Sequence, residues 1–247
     1  MILFKTILLF FAFIIPLKAN TIYDLIKIPN LEIYEINTEN KLRYLYATKP
    51  FRLGVNFKYG HLKNIHCLNS DKKTLDSKYK IINKNLNRYS SDFLKKINLK
   101  YIVLCEDLSI GKINTAGIPN NLIKTLILDT KFNYTYFERA IHHEVFHIIS
   151  DSYKKLFDED EWKNFNKKNF KYTECSTCAN KWKLNLYSET RGFFTEYAKS
   201  TASEDMAEVF SHLMFYQNEI NSNDPIIKKK IKFIKKNILK IDNNFKF

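Results

Sequence analysis

The sequence His142-His143-Glu144-Val145-Phe146-His147 contains the pattern H-E-x-x-H and lies within a run of apolar residues that suits a helix. On a helix, residues four apart lie on one face, so the imidazoles of His143 and His147 can bind one metal ion. Glu144 projects beside that face, where its carboxylate can reach a water at the metal without binding the metal. The pattern predicts two metal ligands and a general base on one helix.

A catalytic zinc site usually takes three protein ligands and leaves one position open. Ser150 stands where the longer pattern H-E-x-x-H-x-x-G-x-x-H requires glycine, which excludes that arrangement. Glu204 and Glu208 lie four residues apart in a later helical stretch, for which we predict Ser203 as the N-cap. One of the two carboxylates can bind zinc while the other orients a histidine, as in many zinc sites. The alternative is two exposed acids on a surface helix.

Three further side chains near these motifs have weaker claims to a role. His142 points about a third of a turn away from His147, so we expect it to be a bystander. Asp151 is either a hydrogen-bond acceptor for a ligand or a helix-end residue, and the second interpretation is preferred. Tyr187 is a candidate hydrogen-bond donor in catalysis.

Composition bounds the class of protein. The chain has 247 residues, 45% hydrophobic and 15% aromatic, which excludes a disordered protein and suffices for one domain. Its formal net charge is +14 and comes almost entirely from lysine. Because arginine, the residue that best recognises phosphates and base edges, is scarce, no specific nucleic-acid partner is expected. We expect a monomer that acts on a peptide or protein substrate.

The first nineteen residues have the layout of a secretory signal peptide. Lys5 supplies a positive charge, an apolar run covers 7–15, Pro16 interrupts it, and Ala19 precedes a plausible cleavage site. A membrane anchor is the alternative, but the run is shorter than the ~20 residues that span a bilayer. We therefore expect residues 1–19 to be removed and residues 20–247 to form one secreted or periplasmic domain.

Four cysteines suit an exported protein with disulfides. The preferred pairing is Cys67 with Cys105 and Cys175 with Cys178. A second metal site at the C-x-x-C of Cys175 and Cys178 is the alternative, which lacks a matching second pair.

The apolar periodicity predicts an α+β protein with strands early and helices late. Residues 75–97 have helical spacing, 101–105 and 125–129 read as buried strands, and glycines between these strands mark a loop. Further helices are predicted over 136–150, over 203–217 and from Pro225 onward. The role of residues 20–70 is left open.

Together, these motifs resemble the metallopeptidase family of the anthrax lethal factor catalytic domain and the secreted Pro-Pro endopeptidases. The segment from His143 to His147 matches the H-E-x-x-H helix of that family, and the segment from Glu204 to Phe210 resembles its E-x-x-A-E-x-F helix. Tyr197 precedes Glu204 by seven residues, as a catalytic tyrosine does there. The resemblance covers roughly residues 75–247.

The resemblance implies a zincin-like fold, a small mixed sheet followed by a mostly helical C-terminal half. It also implies one Zn²⁺ held by His143, His147 and Glu204, with Glu208 supporting the site and Tyr197 stabilising the oxyanion. If Glu208 were the ligand instead, its helix would enter one turn later. The segment 152–196 is longer than in those relatives and can reshape or cover the cleft, so substrate specificity does not transfer.

The expected activity is that of a zinc-dependent endopeptidase whose extended substrate pairs with an edge strand in the region 111–129. One rival is a catalytically inactive peptidase-like binding module or toxin-like envelope protein. Another is a basic protein that adheres to anionic envelope polymers through lysines, with H-E-x-x-H accidental.

Overall fold

The computed structural model describes residues 21–56, 62–111, 113–176, 191–216 and 223–247. The predicted signal peptide therefore lies outside the described residues. The elements, in chain order, are α1 (Thr21–Ile26), β1 (Leu31–Glu35), β2 (Arg43–Ala47), β3 (Phe51–Asn56), β4 (Leu62–Leu68), α2 (Lys72–Leu86), α3 (Ser91–Lys96), β5 (Tyr101–Ile110), β6 (Ile113–Asn114), β7 (Gly117–Asn120), β8 (Thr125–Asp129), α4 (Tyr134–Ser152), α5 (Glu159–Lys163), a 3₁₀ turn (Tyr197–Lys199), α6 (Ala202–Tyr216) and α7 (Pro225–Ile241).

The long strand β5 belongs to two sheet regions. Its first half pairs in parallel with β2 and β8, and β1 and β7 flank these two strands in antiparallel pairing. Its second half pairs antiparallel with β4 and β6, and β3 pairs with β4. Asp107, at a φ of 52°, lies where the two halves meet, and the Asp129 carboxylate accepts the backbone N–H groups of Asp107 and Leu108 at 3.1 and 3.2 Å. The strands predicted over 101–105 and 125–129 are confirmed, although β5 runs five residues further.

Alternate residues of β5 and β8 enter two different hydrophobic cores, as the two-residue period of a strand requires. Ile102, Leu104, Leu126 and Leu128 pack with the buried residues of α2, α3, α4, α6 and α7. Val103 and Ile127, on the opposite face, pack with residues of α1, β3 and β4. The helical half of the chain therefore covers one face of the sheet, which confirms the predicted α+β class.

The helical stretch predicted over 75–97 is two helices. Asp71 caps α2, and Ser90 caps α3 by accepting the backbone N–H of Phe93 on its Oγ at 3.1 Å. A continuous apolar stripe concealed this break, because its residues face the same core from both helices. The final helix begins at Pro225 as predicted, with Asp224 as its cap.

The N-terminal region, whose role the sequence left open, extends the sheet through β1 to β4. A disulfide joins Cys67 of β4 to Cys105 of β5, with Cα atoms 5.9 Å apart, which confirms the first predicted pairing. Cys178 lies outside the described residues, so its pairing with Cys175 stays a prediction. No helix in the described ranges combines the length and the apolar character needed to cross a bilayer.

Candidate metal centre

The helix α4 runs past both predicted limits and carries the H-E-x-x-H residues in its middle. Asn133 caps it by accepting the Thr135 N–H at 3.0 Å. The Nε2 atoms of His143 and His147, one turn apart, lie 3.1 Å from each other. The motif therefore adopts the helical geometry that its spacing predicts, with both imidazoles aimed at one point.

The helix α6 packs against α4 and brings Glu204 to this point. The Oε2 atom of Glu204 lies 2.9 Å from Nε2 of His143 and 3.3 Å from Nε2 of His147. Ligand atoms at the usual 2.0–2.2 Å from a tetrahedral zinc are separated by about 3.4 Å, close to these distances. His143, His147 and Glu204 thus form a candidate metal site with the two-imidazole, one-carboxylate donor set of catalytic zinc.

The start of α6 differs from the prediction that Ser203 caps it. The helix begins at Ala202, and Thr201 accepts the Glu204 N–H on its Oγ1 at 3.1 Å. Ser203 instead lies with its Oγ 3.4 Å from Nδ1 of His147. The cap therefore lies two residues earlier than predicted, and Glu204 lies in the first turn of α6.

Glu208 lies on the other side of the His143 ring. Nδ1 of His143 donates to Oε1 of Glu208 at 2.9 Å, and Oε2 accepts from the Thr195 hydroxyl at 2.8 Å. Burial raises the pKa of Glu208, but the hydrogen bond from His143 and the charge of Arg139, 3.7 Å away, outweigh it and lower the pKa to about 2. The ionised carboxylate fixes the tautomer with Nε2 of His143 free to bind a metal. The alternative in which Glu208 is the metal ligand is not supported, since it contacts the wrong ring nitrogen.

The pKa of His143 reflects the excess of negative charge at this point. Burial lowers it, but hydrogen bonds and charge from Glu204 and Glu208 outweigh burial and raise it to about 10. A buried imidazole between two carboxylates is an environment that a divalent cation complements.

Glu144 is nearly buried beside the two histidines, and burial raises its pKa to about 7 against the opposing charges of His143 and His147. Its side chain packs against Gly117 of β7, where a Cβ would lie 2.7 Å from Cγ of Glu144. The sequence interpretation treated Gly117 only as a loop marker. A glycine within a strand can mark a close backbone approach, which is the signal that was available.

Tyr197, in the 3₁₀ turn, lies against the same cluster. Its ring centroid is 5.9 Å from that of His143. Burial, together with the charges of Glu204 and Glu144, raises the pKa of Tyr197 well above its usual value. The phenol therefore stays protonated and remains a hydrogen-bond donor.

The weaker candidates lie away from the cluster. His142 is fully buried on another side of α4, 2.6 Å from the Tyr89 hydroxyl and 3.0 Å from Oδ1 of Asn85, so it is a bystander as expected. Asp151 is exposed near the end of α4 and pairs with Lys154. Tyr187 lies outside the described residues.

The strand β7, within the predicted region 111–129, passes beside the cluster. It pairs with β8 on one side, and its other edge pairs with no strand among the described residues. Gly117, at the start of β7, lies next to Glu144.

A family model described as "Putative zinc-binding metallo-peptidase" matches residues 107–240, which is more than half of the chain. The matched region runs from β5 into α7 and contains α4, the 3₁₀ turn and α6. No curated protein is similar enough to the chain to match it.

Proposed function

This chain belongs to that family of zinc-binding metallopeptidases, and we propose that it is a zinc-dependent endopeptidase. The observation that carries the proposal is the convergence of Nε2 of His143, Nε2 of His147 and a carboxylate oxygen of Glu204 on one point. Glu144 of α4 and Tyr197 of the 3₁₀ turn lie beside this point. A site that only bound zinc for stability would have no need of either.

Zinc held by His143, His147 and Glu204 supplies Lewis-acid polarisation of the scissile carbonyl and lowers the pKa of the attacking water. Glu144 takes the proton from this water as it attacks and then donates it to the leaving amine. Its raised pKa, about 7, suits a group that must both accept and release a proton near neutral pH. The Tyr197 hydroxyl donates a hydrogen bond to the developing oxyanion.

The extended substrate adds a strand to the open edge of β7, so that backbone hydrogen bonds align the scissile bond with Glu144. We propose the anthrax lethal factor and Pro-Pro endopeptidase group as the nearest functional analogue. Three features support this choice: the H-E-x-x-H helix, the segment from Glu204 to Phe210 in α6, and Tyr197 seven residues before Glu204. The cleavage sites found in a peptide library would define the preferred peptide sequence.

Action outside the cytoplasm is part of the proposal. The disulfide between Cys67 and Cys105 supports it, because disulfides persist mainly in oxidising compartments. The signal-peptide pattern of residues 1–19 supports the same location.

The test is cleavage of a diverse peptide library by the purified mature chain with one equivalent of zinc, with cleavage sites identified by mass spectrometry. Glu144→Gln is expected to keep its zinc and to lose on the order of 10²–10⁴-fold in rate, because it removes the general base. Tyr197→Phe is expected to lose about 10²–10³-fold in kcat. Glu161→Gln, an exposed residue of α5, is the matched control and should cleave like the native chain.

Three outcomes would count against the proposal. Equal cleavage by the native chain and Glu144→Gln would assign the activity to a contaminant or to another base. Zinc binding without cleavage of any peptide would favour an inactive binding module. No zinc binding, with salt-sensitive attachment to anionic polymers, would favour the basic surface-binding protein.

A further inference from the structure

A charged pair is buried behind the metal-binding face of α6. Lys230 of α7 and Asp205 of α6 are both fully buried, and Nζ of Lys230 lies 2.5 Å from Oδ2 of Asp205. The same Oδ2 accepts from Nε1 of Trp162 at 2.9 Å and from the Tyr172 hydroxyl at 2.6 Å. Asp205 directly follows Glu204. Apolar residues can often replace a buried ion pair without loss of stability. Stability of the core alone therefore does not explain why Lys230 and Asp205 are buried here.

Lys230 also holds the beginning of the segment 192–200. Its Nζ donates to the Gly192 carbonyl at 2.6 Å and lies 4.0 Å from the centroid of the Phe193 ring. The Gly192 N–H donates to Asp224, the cap of α7, at 2.6 Å. Gly192 has a φ of 94°, and a Cβ there would lie 2.8 Å from the Ile226 side chain. The first residue of the segment is therefore bound to α7 through both of its backbone polar groups.

Asp205 holds the end of the same segment through Tyr172. The hydroxyl of Tyr172 is fixed by Asp205, and the next residue, Thr173, contacts the segment directly. The Thr173 hydroxyl donates to the Ser200 carbonyl at 3.1 Å, and its N–H donates to the Lys199 carbonyl at 3.3 Å. One oxygen of Asp205 thus accepts from Lys230, which binds the beginning of 192–200, and from Tyr172, whose neighbour Thr173 binds its end.

Tyr197 lies between these two ends, with its ring centroid 5.9 Å from that of His143. We propose that Asp205 and Lys230 are positioning residues that hold both ends of the segment 192–200, so that the Tyr197 hydroxyl stays directed at the metal site. The inference rests on the proposed function, in which Tyr197 acts on the substrate. Neither residue touches the substrate, and both act through Tyr197.

The first test is amide hydrogen exchange of the metal-free full chain, which requires no catalysis. Lys230→Met, which keeps the length of the side chain but loses the ammonium, should accelerate exchange within 193–200 on the order of tenfold. Lys236→Met, the same change at an exposed position of α7, is the control and should leave exchange unchanged.

A double variant separates local release from general destabilisation. Lys230→Met leaves the Asp205 carboxylate buried without its counter-charge, which lowers stability by itself. Asp205→Asn in addition removes that charge, while its side-chain oxygen can still accept from Trp162 and Tyr172. The double variant should regain much of the thermal stability yet keep the faster exchange near Gly192.

The second test is a double-mutant cycle with Tyr197→Phe, measured together with zinc affinity by chelator competition. Lys230→Met should lower kcat by about 10- to 100-fold, as a displacement of a catalytic group does, while zinc affinity stays close to native. In the Tyr197→Phe background the same change should cost less than about twofold, because the group it positions is already absent.

The inference is overturned if exchange within 193–200 is unchanged, or if it rises equally throughout the chain. If the losses of kcat from Lys230→Met and Tyr197→Phe multiply in the double variant, the two residues act independently, which would also overturn the inference. If the native chain cleaves no peptide, the proposed function fails, whereas the exchange experiment still decides whether the pair holds the segment.

Discussion

At the scale of single residues, the distance between Gly117 and Glu144 decides how closely β7 approaches the metal site. A methyl group at Gly117 would lie 2.7 Å from Cγ of Glu144 and 3.1 Å from both the Ile127 carbonyl oxygen and Leu128 Cδ2. Contacts this short force either the strand or the glutamate to move. Glycine at this position therefore allows β7 to contact Glu144, the proposed general base.

Gly117→Ala is expected to lower the free energy of unfolding by about 1–3 kcal/mol, the usual cost of overpacking, and to reduce kcat because Glu144 is displaced. In the Glu144→Ala background, which lacks the Cγ atom, the loss of stability should be smaller. Denaturant unfolding of the four proteins measures the coupling. Equal losses in both backgrounds would show that the contact with Glu144 is unimportant.

Among the secondary-structure elements, one face of the sheet packs against the helices that carry the candidate site, and the other face contains the disulfide. Cys67 and Cys105 lie in the hydrophobic cluster on the face away from α4, whereas Leu104 and Leu128 pack beneath the helices that carry the site. The disulfide fastens β4 to β5 across 38 residues of sequence. It therefore stabilises the sheet without touching the metal ligands.

Cys67→Ala with Cys105→Ala is expected to lower the free energy of unfolding by about 2–4 kcal/mol, because closing a loop of this length constrains the unfolded chain. Zinc affinity and cleavage rate in the folded variant should stay near native. The double variant is a better test than a reductant, which would also reach Cys175. A marked fall in zinc affinity would contradict the separation of the two faces.

Across the whole molecule, the candidate metal site joins two long helices of the core, α4 and α6. His143 and His147 come from α4, and Glu204 comes from α6, so a bound ion cross-links them. Two buried carboxylates, Glu144 and Glu208, and the partly buried Glu204 lie together around the histidines. A dication supplies the balancing charge only in the folded state.

Zinc is therefore expected to stabilise the fold by mass action, by about 4 kcal/mol when free zinc is near 1,000 times its Kd. For a domain of this size, that corresponds to a rise in Tm of roughly 8–16 °C. Differential scanning calorimetry with and without a chelator measures it. His147→Ala should lose most of the zinc-dependent shift, and a full shift in that variant would place the zinc elsewhere.

Local sequence patterns predicted much of the fold and placed His143, Glu144 and His147 in one candidate site. The strands over 101–105 and 125–129 and the helices around 136–150 and 203–217 were identified by apolar periodicity, because each buries one continuous face. The break at Ser90 and the cap at Thr201 were missed. At Ser90 the apolar spacing continued across the boundary, and near α6 both Thr201 and Ser203 carry a hydroxyl that can cap a helix. Only the hydrogen bonds to the backbone N–H groups of Phe93 and Glu204 decided where each helix began.

The local sequence alone was enough to predict that His143 and His147 share one metal ion. Residues four apart lie on one face of a helix, so no contact with a distant part of the chain is needed to align them. The spacing of Glu204 and Glu208 left the third ligand open, and only the family resemblance indicated Glu204. The placement of α6 puts the two carboxylates on opposite sides of the His143 ring. Lys230 is also indistinguishable in sequence from the lysines beside it. Only tertiary packing against Asp205 buried it, since burial of a charge depends on a partner that is distant in the chain.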